Sequence, residues 1–407
     1  MIAKRPRAKR APSAARFAIG RAVPARAVEP VDAQAVAAAL RDAADAGEAV
    51  VVFGGGTLQR AANAPSRYDV ALSTRRLDAI AAYDPRELTA GLGAGVTLEA
   101  LDRELAAHGQ FLPLDAPFPA RATIGGTLAA GWAGPRRTAY GRPRDLLIGA
   151  TIALTDGTLA TSGGMVVKNV TGYDMARLYV GSHGTLGALV RANFKVLPAP
   201  AVRRVAVAPF EPEMRERAIA HALAMTFEPS ALLVLDGFRD AVGPDHPRII
   251  ALLEGSDAVV ERATRELRSS LGAAGIAETR LLDGADAARA YQRIVDAYAT
   301  SALADDVTLL ARGLPSEAAS RADAVRHALG GAETIADLRT GDVVVRTRED
   351  AEAVRAVLGR ATVLVAGALR EVDAWGKPPA SLDVMRALKA RFDPSGALAP
   401  GRFVGGI

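Results

Sequence analysis

Cysteine is absent from this 407-residue chain. That absence excludes a disulfide, a thiolate zinc site, an iron–sulfur cluster held by the chain itself and a thiol nucleophile. Any redox chemistry must therefore use a bound organic cofactor. Aromatic residues make up only 5% of the chain although 50% is apolar, so much of the apolar content is alanine, as in the run AVAAAL at 36–41. No uninterrupted apolar stretch approaches the roughly 20 residues of a membrane span. Histidine is scarce as well. In the C-terminal half only His221, His246 and His327 occur, without metal-ligand spacing, so no metal site is expected.

The net charge of +5 is misleading. Residues 1–26 carry eight Lys or Arg and no acid, whereas the remainder carries 42 Lys and Arg against 45 Asp and Glu. Basicity is thus confined to an arm, residues 1–27, which is expected to be disordered. A nucleic-acid-binding body would need its basic face on the folded part. The arm lacks the apolar core of a secretory signal, and a cytoplasmic location is expected, with any membrane association running through partners.

At roughly 150 residues per domain the length suggests two or three domains. The pattern predicts a helix over 33–47, a strand over 49–53 and a glycine turn at Gly54, Gly55 and Gly56. A second unit follows, with a strand at 87–92 and a helix over 97–109. From 111 to 141 the chain is rich in Gly, Pro and Ala without periodicity, which reads as a long functional loop. Strands are expected at 147–154, 158–161 and 187–197, and Pro198 and Pro200 mark a linker. Beyond it the order β-α-β-β-α-β occurs twice around a helix at 285–299. Two ferredoxin-like halves would join into one sheet.

A Gly54–Gly56 turn with Thr57 and Leu58 after a buried strand can offer successive backbone N–H groups to a diphosphate. Alone it is equally an ordinary tight turn, and it matches neither a Walker A nor a G-x-G-x-x-G fingerprint. A second glycine cluster, 123–131, could bring backbone and the hydroxyls of Thr123 and Thr127 against a flat ring. A third, 181–190, runs into an apolar strand. Between them lies the distinctive run 163–181, with Lys168, Asn169, Tyr173, Asp174 and Arg177.

Together these segments resemble the flavin-binding half of the vanillyl-alcohol oxidase superfamily, the PCMH-type FAD-binding domain. The Lys-Asn-Val-x-Gly-Tyr-Asp run and the closing 388–403 look most like the E-type family of FAD-binding glycolate oxidase chains. The resemblance implies an α+β fold: a PCMH-type FAD-binding domain of two α/β subdomains over 28–200, a ferredoxin-like-repeat cap over 201–380, and a C-terminal helix and tail, 381–407, packing back on the FAD domain. It implies that Gly54, Gly55, Gly56, Thr57 and Leu58 hold the pyrophosphate of FAD. It places Thr123, Ile124, Gly125 and Gly126 around the flavin, and adenine-side contacts at Gly187, Ala188 and Val190.

One of Arg121, Arg136, Arg137, Arg144 and Lys168 is expected near the ring, where it could stabilise negative charge. Neither His108 nor His183 sits where a covalent flavin link would be expected, so FAD is taken as noncovalent. Catalytic relatives oxidising D-2-hydroxy acids resemble one another in a His-x-Gly-Asp-Gly-Asn-x-His segment that is absent here. Tyr291, Tyr298 and Arg312 are the conceivable substitutes, and no catalytic residue is assigned. The implied function is an FAD-binding subunit that oxidises glycolate beside a related catalytic flavoprotein and an iron–sulfur subunit. The alternatives are a self-sufficient dehydrogenase of another 2-hydroxy acid such as D-lactate, and a flavin-free structural subunit.

Overall fold

The computed structural model describes residues 13–166, 173–239, 246–300, 306–359, 363–367 and 373–407. The distinctive run 163–181 falls partly outside them: Lys168 and Asn169 are not among the described residues.

Among the described residues the first half holds a three-stranded and a five-stranded sheet, and a two-stranded pairing of Gln110–Phe111 with Leu197–Pro198. Helix Ala33–Asp45 starts where the Asp32 carboxylate accepts from the Ala35 N–H, and it buries Val36, Ala37, Leu40 and Ala43 along one stripe. It packs beside a parallel sheet in which Val70–Ser73 lies between Arg26–Val28 and Val50–Phe53. The second sheet is antiparallel, in the order Ile80–Asp84, Thr89–Gly93, Ala188–Lys195, Leu147–Ala153, Leu159–Gly163. Helix Leu98–Ala106, capped by the Thr97 hydroxyl, covers it through Leu98, Leu101 and Leu105.

Two expectations change. Residues 13–27 are not a disordered arm: Phe17 packs edge-on against Phe53 at 5.2 Å, its carbonyl accepts from the Tyr68 hydroxyl at 2.9 Å, and Arg26–Val28 is a sheet strand. Basic composition misled because two apolar side chains, Phe17 and Ile19, suffice to anchor the segment. The stretch 111–141 is not a continuous loop either. It contains helix Ile124–Ala130, started by the Thr123 hydroxyl accepting from Gly126 N–H and ended at Gly131 with φ 60°. Glycine hid this helix from propensity. At Gly125 a Cβ would come within 2.8 Å of the Ala94 Cβ, so close packing, not flexibility, requires glycine there.

The second half is built on one antiparallel eight-stranded sheet. Its order is Arg280–Asp283, Val202–Pro209, Arg248–Gly255, Ala231–Asp236, Glu333–Asp337, Val343–Thr347, Val307–Ala311, Val363–Gly367. Each half of that order is a β-α-β-β-α-β unit, and the two join where Leu235 pairs with Ile335 and Leu233 with Asp337. Strand side chains alternate between faces. Leu232, Val234, Ile249 and Ala251 meet the four covering helices, while Leu233, Leu235, Ile250 and Leu252 face helix Gly284–Ala297 together with Leu58 and Trp132 of the first half. A sheet buried on both faces explains why its strands read as nearly continuous apolar runs. Among the described residues no helix is long and apolar enough to cross a membrane.

Leu235 is fully buried at the junction of the two units. Leu235→Ala is expected to lower stability by about 2–5 kcal/mol, read as a lower urea midpoint. A loss below about 0.5 kcal/mol would show that the junction is not a packed core.

Candidate cofactor site

The strand Val50–Phe53 delivers the chain directly into Gly54, Gly55 and Gly56. At Gly54 a Cβ would lie 2.2 Å from the Thr123 hydroxyl, and at Gly55 it would lie 1.7 Å from the Arg121 carbonyl oxygen. Gly56 has φ 74°. The turn is therefore pressed against the start of helix Ile124–Ala130, in a position that no side chain can share.

Two cavities meet at this turn. Gly54, Gly55, Gly56, Thr57 and Gln59 line both. The narrower also touches Leu58, Gly125, Gly126, His183, Gly187, Leu189 and Arg402. The wider, about 560 Å³, opens between the halves and is lined by Arg16, Arg60, Arg75, Phe118 and Arg121, with Ala299, Val365 and Ala366 from the second half. No Asp or Glu lines either cavity among the described residues. Phe118 (φ 57°) and His183 (φ 52°), two of the five non-glycine residues with positive φ among those described, both line the cavities. Such backbone strain concentrates at functional sites.

The expected site residues divide accordingly. Gly54 to Leu58, Gly125, Gly126 and Gly187 come together around the cavities. Thr123 and Ile124 do not line them: the Thr123 hydroxyl caps the helix, and Ile124 is fully buried in the apolar core with Leu92 and Leu128. Ala188 and Val190 likewise point into the core against Val36 and Leu40, and it is the alternate residue Leu189 that faces the cavity. The strand's two-residue period decides this, since neighbouring side chains leave by opposite faces.

Of the five cations, only Arg121 reaches the cleft among the described residues. Arg136 is buried between Asp115 (2.6 Å) and Glu254 (3.5 Å), Arg137 pairs with Asp342 at 2.8 Å, and Arg144 lies at the surface beside Asp145. Lys168 is outside the described residues. Arg136 and Arg137 thus tie the segment 111–141 to the eight-stranded sheet. Tyr291 joins that tie, donating to Asp115 at 3.0 Å, and burial, then the Asp115 charge, push its phenol well above its ordinary pKa. Tyr298 is also buried and packs edge-on against Trp132 at 6.5 Å, while Arg312 is exposed at the end of its strand. None of the three lines either cavity. The histidines of the second half do not converge: His246 faces Glu211 at 3.9 Å, and His327 contacts the Asp323 carbonyl on its own helix.

Sequence reasoning gave no site role to His183 or Arg402. His183 packs edge-on against Trp375 at 4.9 Å and beside Phe403 at 5.8 Å. Its neighbours come from nearly 200 residues away, and only the nearby glycines hinted at an unusual backbone there.

Residues 24–163 match the family model described as an FAD binding domain. The chain is 44% identical over 119 residues to glycolate oxidase subunit GlcE of Escherichia coli (strain K12), covering 29% of this chain and 34% of that protein. It is 26% identical to glycolate oxidase subunit GlcD of Bacillus subtilis (strain 168), covering 87% of this chain and 83% of that protein. A solved structure of p-cresol methylhydroxylase with substrate bound superposes with a TM-score of 0.69 at 16% identity, over 93% of this chain and 88% of that one. The fold is the PCMH-type FAD-binding fold, and its cofactor is FAD. The residues present fit that group. The glycine turn lines both cavities while its other side is packed against Thr123 and Arg121, and walls without a carboxylate among the described residues suit a dianionic ligand.

Two outcomes test the site. Gly55→Ala is expected to weaken FAD retention at least tenfold, read as flavin released on gel filtration. Gly272→Ala, on an exposed helix position with nothing within 4 Å, is expected to leave retention unchanged and stabilise by about 0.5–1 kcal/mol. Equal retention in both variants would remove the turn from the site. The second outcome concerns pH. Burial, with a smaller push from Arg402, holds the His183 imidazole down at about 3. Between the ordinary histidine value of about 6.5 and pH 3 the unfolded chain takes up a proton that the folded chain refuses, so stability falls as pH falls through that window. His183→Gln should flatten the melting temperature between about pH 7 and 4. An unchanged slope would show that His183 titrates normally.

Proposed function

We propose that this chain is the FAD-binding subunit of a glycolate-oxidising complex, converting glycolate to glyoxylate beside a related catalytic flavoprotein and an iron–sulfur subunit. In this reading residues 28–200 hold the cofactor noncovalently, 201–380 cap it, and 381–407 pack back on the first half. The observation that carries it is the wide cleft, where the glycine turn meets Arg16, Arg60, Arg75 and Arg121 without a single carboxylate among the described residues. Similarity to the E. coli and B. subtilis glycolate oxidase subunits supports the same substrate class.

When bound, FAD supplies the two-electron acceptor for the hydrogen leaving the substrate α-carbon. The cleft arginines attract a carboxylate and fix it by charge-assisted hydrogen bonds, which two guanidinium edges can make bidentately. Arg60 already donates to the Gly367 carbonyl at 3.2 Å, so its guanidinium is held at the mouth by the cap. The apolar walls, Phe118, Val365 and Ala366, keep water from the reacting carbon.

Proton removal is the step for which the described residues of this chain offer no group. Arginine is the only side chain carrying charge along the described wall of the wide cleft, and arginine cannot accept a proton at neutral pH. His183 lines the narrower cavity and not the wide cleft, and burial beside Trp375 and Phe403 holds its imidazole down at about 3, too weak a base to take a hydroxyl proton. Tyr291 and Tyr298 lie in the seam with their phenols held neutral. A base within hydrogen-bond reach of the substrate hydroxyl is a requirement of the chemistry. In this reading a partner subunit meets it, and because the chain has no cysteine the electron outlet falls to an iron–sulfur partner as well. A cytoplasmic site of action accords with this assembly.

The test is the visible absorption spectrum of the purified chain under anaerobic conditions, before and after glycolate. Flavin bands that persist with the chain alone and bleach once the partner subunits are added are the expected result. Bleaching by the chain alone would overturn partner dependence. A chain that stays colourless under excess FAD would overturn the flavoprotein reading itself.

A further inference from the structure

Arg402 is a buried cation without a counter-charge. It is 2% exposed, lines the narrower cavity beside the glycine turn, and no carboxylate contacts it among the described residues. Its Nη1 donates to the Asn63 carbonyl at 3.0 Å, and its Nη2 donates to the Gln59 carbonyl at 2.8 Å and to Gln59 Oε1 at 2.9 Å. The Nε has no partner among the described residues. Burial pushes its pKa down to about 10, the direction expected of a charge that nothing nearby repays.

A structural tie between Gln59 and Asn63 does not require this. Neutral amides satisfy carbonyl oxygens without the cost of desolvating an ion, and an unpaired buried charge is among the most destabilising arrangements available to a core. The fold nevertheless positions it with care. Ala397, Leu398 and Ala399 run alongside Val50, exchanging Val50 N–H to the Ala397 carbonyl and Ala399 N–H to the Val50 carbonyl, both at 2.7 Å. Asp393 fixes the approach, accepting from Ala397 and Leu398 N–H groups and from Lys389 Nζ at 2.6 Å. The Arg402 carbonyl accepts from Asn63 N–H at 3.1 Å and from Trp375 Nε1 at 2.9 Å. The strand that carries the tail is the one that ends in the glycine turn.

We infer that Arg402 is the buried counter-charge for the cofactor's diphosphate, so that the C-terminal tail completes the binding site begun by the glycine turn. This inference rests on the flavoprotein reading above. The backbone of Gly54–Gly56 supplies directed hydrogen bonds but only partial charge, whereas a diphosphate carries about two negative charges. Arg402 supplies a full positive charge inside the protein, where screening by salt is weak.

The experiment uses the full-length apo chain, Arg402→Gln and Arg402→Lys, with FAD affinity by calorimetric titration. Arg402→Gln keeps a neutral donor and is expected to weaken FAD by roughly 10- to 100-fold, as for loss of a charge-assisted hydrogen bond. Arg402→Lys, which keeps the charge, should lose less than half as much on a logarithmic scale. Inorganic pyrophosphate should raise the melting temperature of the unmodified apo chain and leave Arg402→Gln unmoved. Equal losses in both variants, an unaffected Arg402→Gln, or no response of the unmodified chain to pyrophosphate would each overturn the inference. Failure of the unmodified chain to bind FAD would instead overturn the reading on which it rests.

Discussion

An eight-stranded sheet that is apolar on both faces has to be covered on both, and that requirement organises this molecule. Its own helices shield one face. The other is shared between helix Gly284–Ala297 and the first half, with Leu58 and Trp132 in the same core as Leu233, Leu235 and Ile250. The two halves therefore press together along a sheet rather than along a strip of surface loops. A cleft at that seam is the place where backbone from one half and side chains from the other face the same space.

Charge is sorted along the same seam. Where the halves touch, largely buried guanidinium groups meet carboxylates: Arg136 with Asp115 and Glu254, and Arg137 with Asp342. Tyr140 and Tyr291 complete those carboxylates with hydrogen bonds of 3.1 and 3.0 Å. Where the halves part, carboxylates are missing among the described residues and arginines remain. The paired region locks the arrangement, because breaking one partner would leave an uncompensated charge inside. The unpaired region is electrostatically unfinished and suits an anionic ligand.

The C-terminal tail links both themes. It adds to the edge of the parallel sheet beside the strand that feeds the glycine turn, and it carries Arg402 into the cavity wall. His183, Trp375 and Phe403 pack on one another, edge-on or tilted, with ring centroids 4.8 to 5.8 Å apart, adding apolar surface beside the tail in which a single charge has a large effect.

Periodicity determined much by itself. The α/β alternation, the duplicated β-α-β-β-α-β order and the glycine turn at 54–56 are local patterns, and local sterics and burial periods fix them. The same local logic failed at Ile124–Ala130, whose Gly125 is required by Ala94 across the interface, and at residues 13–27, which two apolar anchors hold in place. Which side chains face the cofactor cavity was decided only by tertiary structure. Ala188, Leu189 and Val190 differ by strand face alone, Arg136 and Arg121 by which half they meet, and Arg402 reaches Gln59 beside the glycine turn across 343 residues of sequence. Spacing along a chain encodes the shape of an element. The counter-charge a residue finds, or fails to find, depends on elements brought beside it by folding.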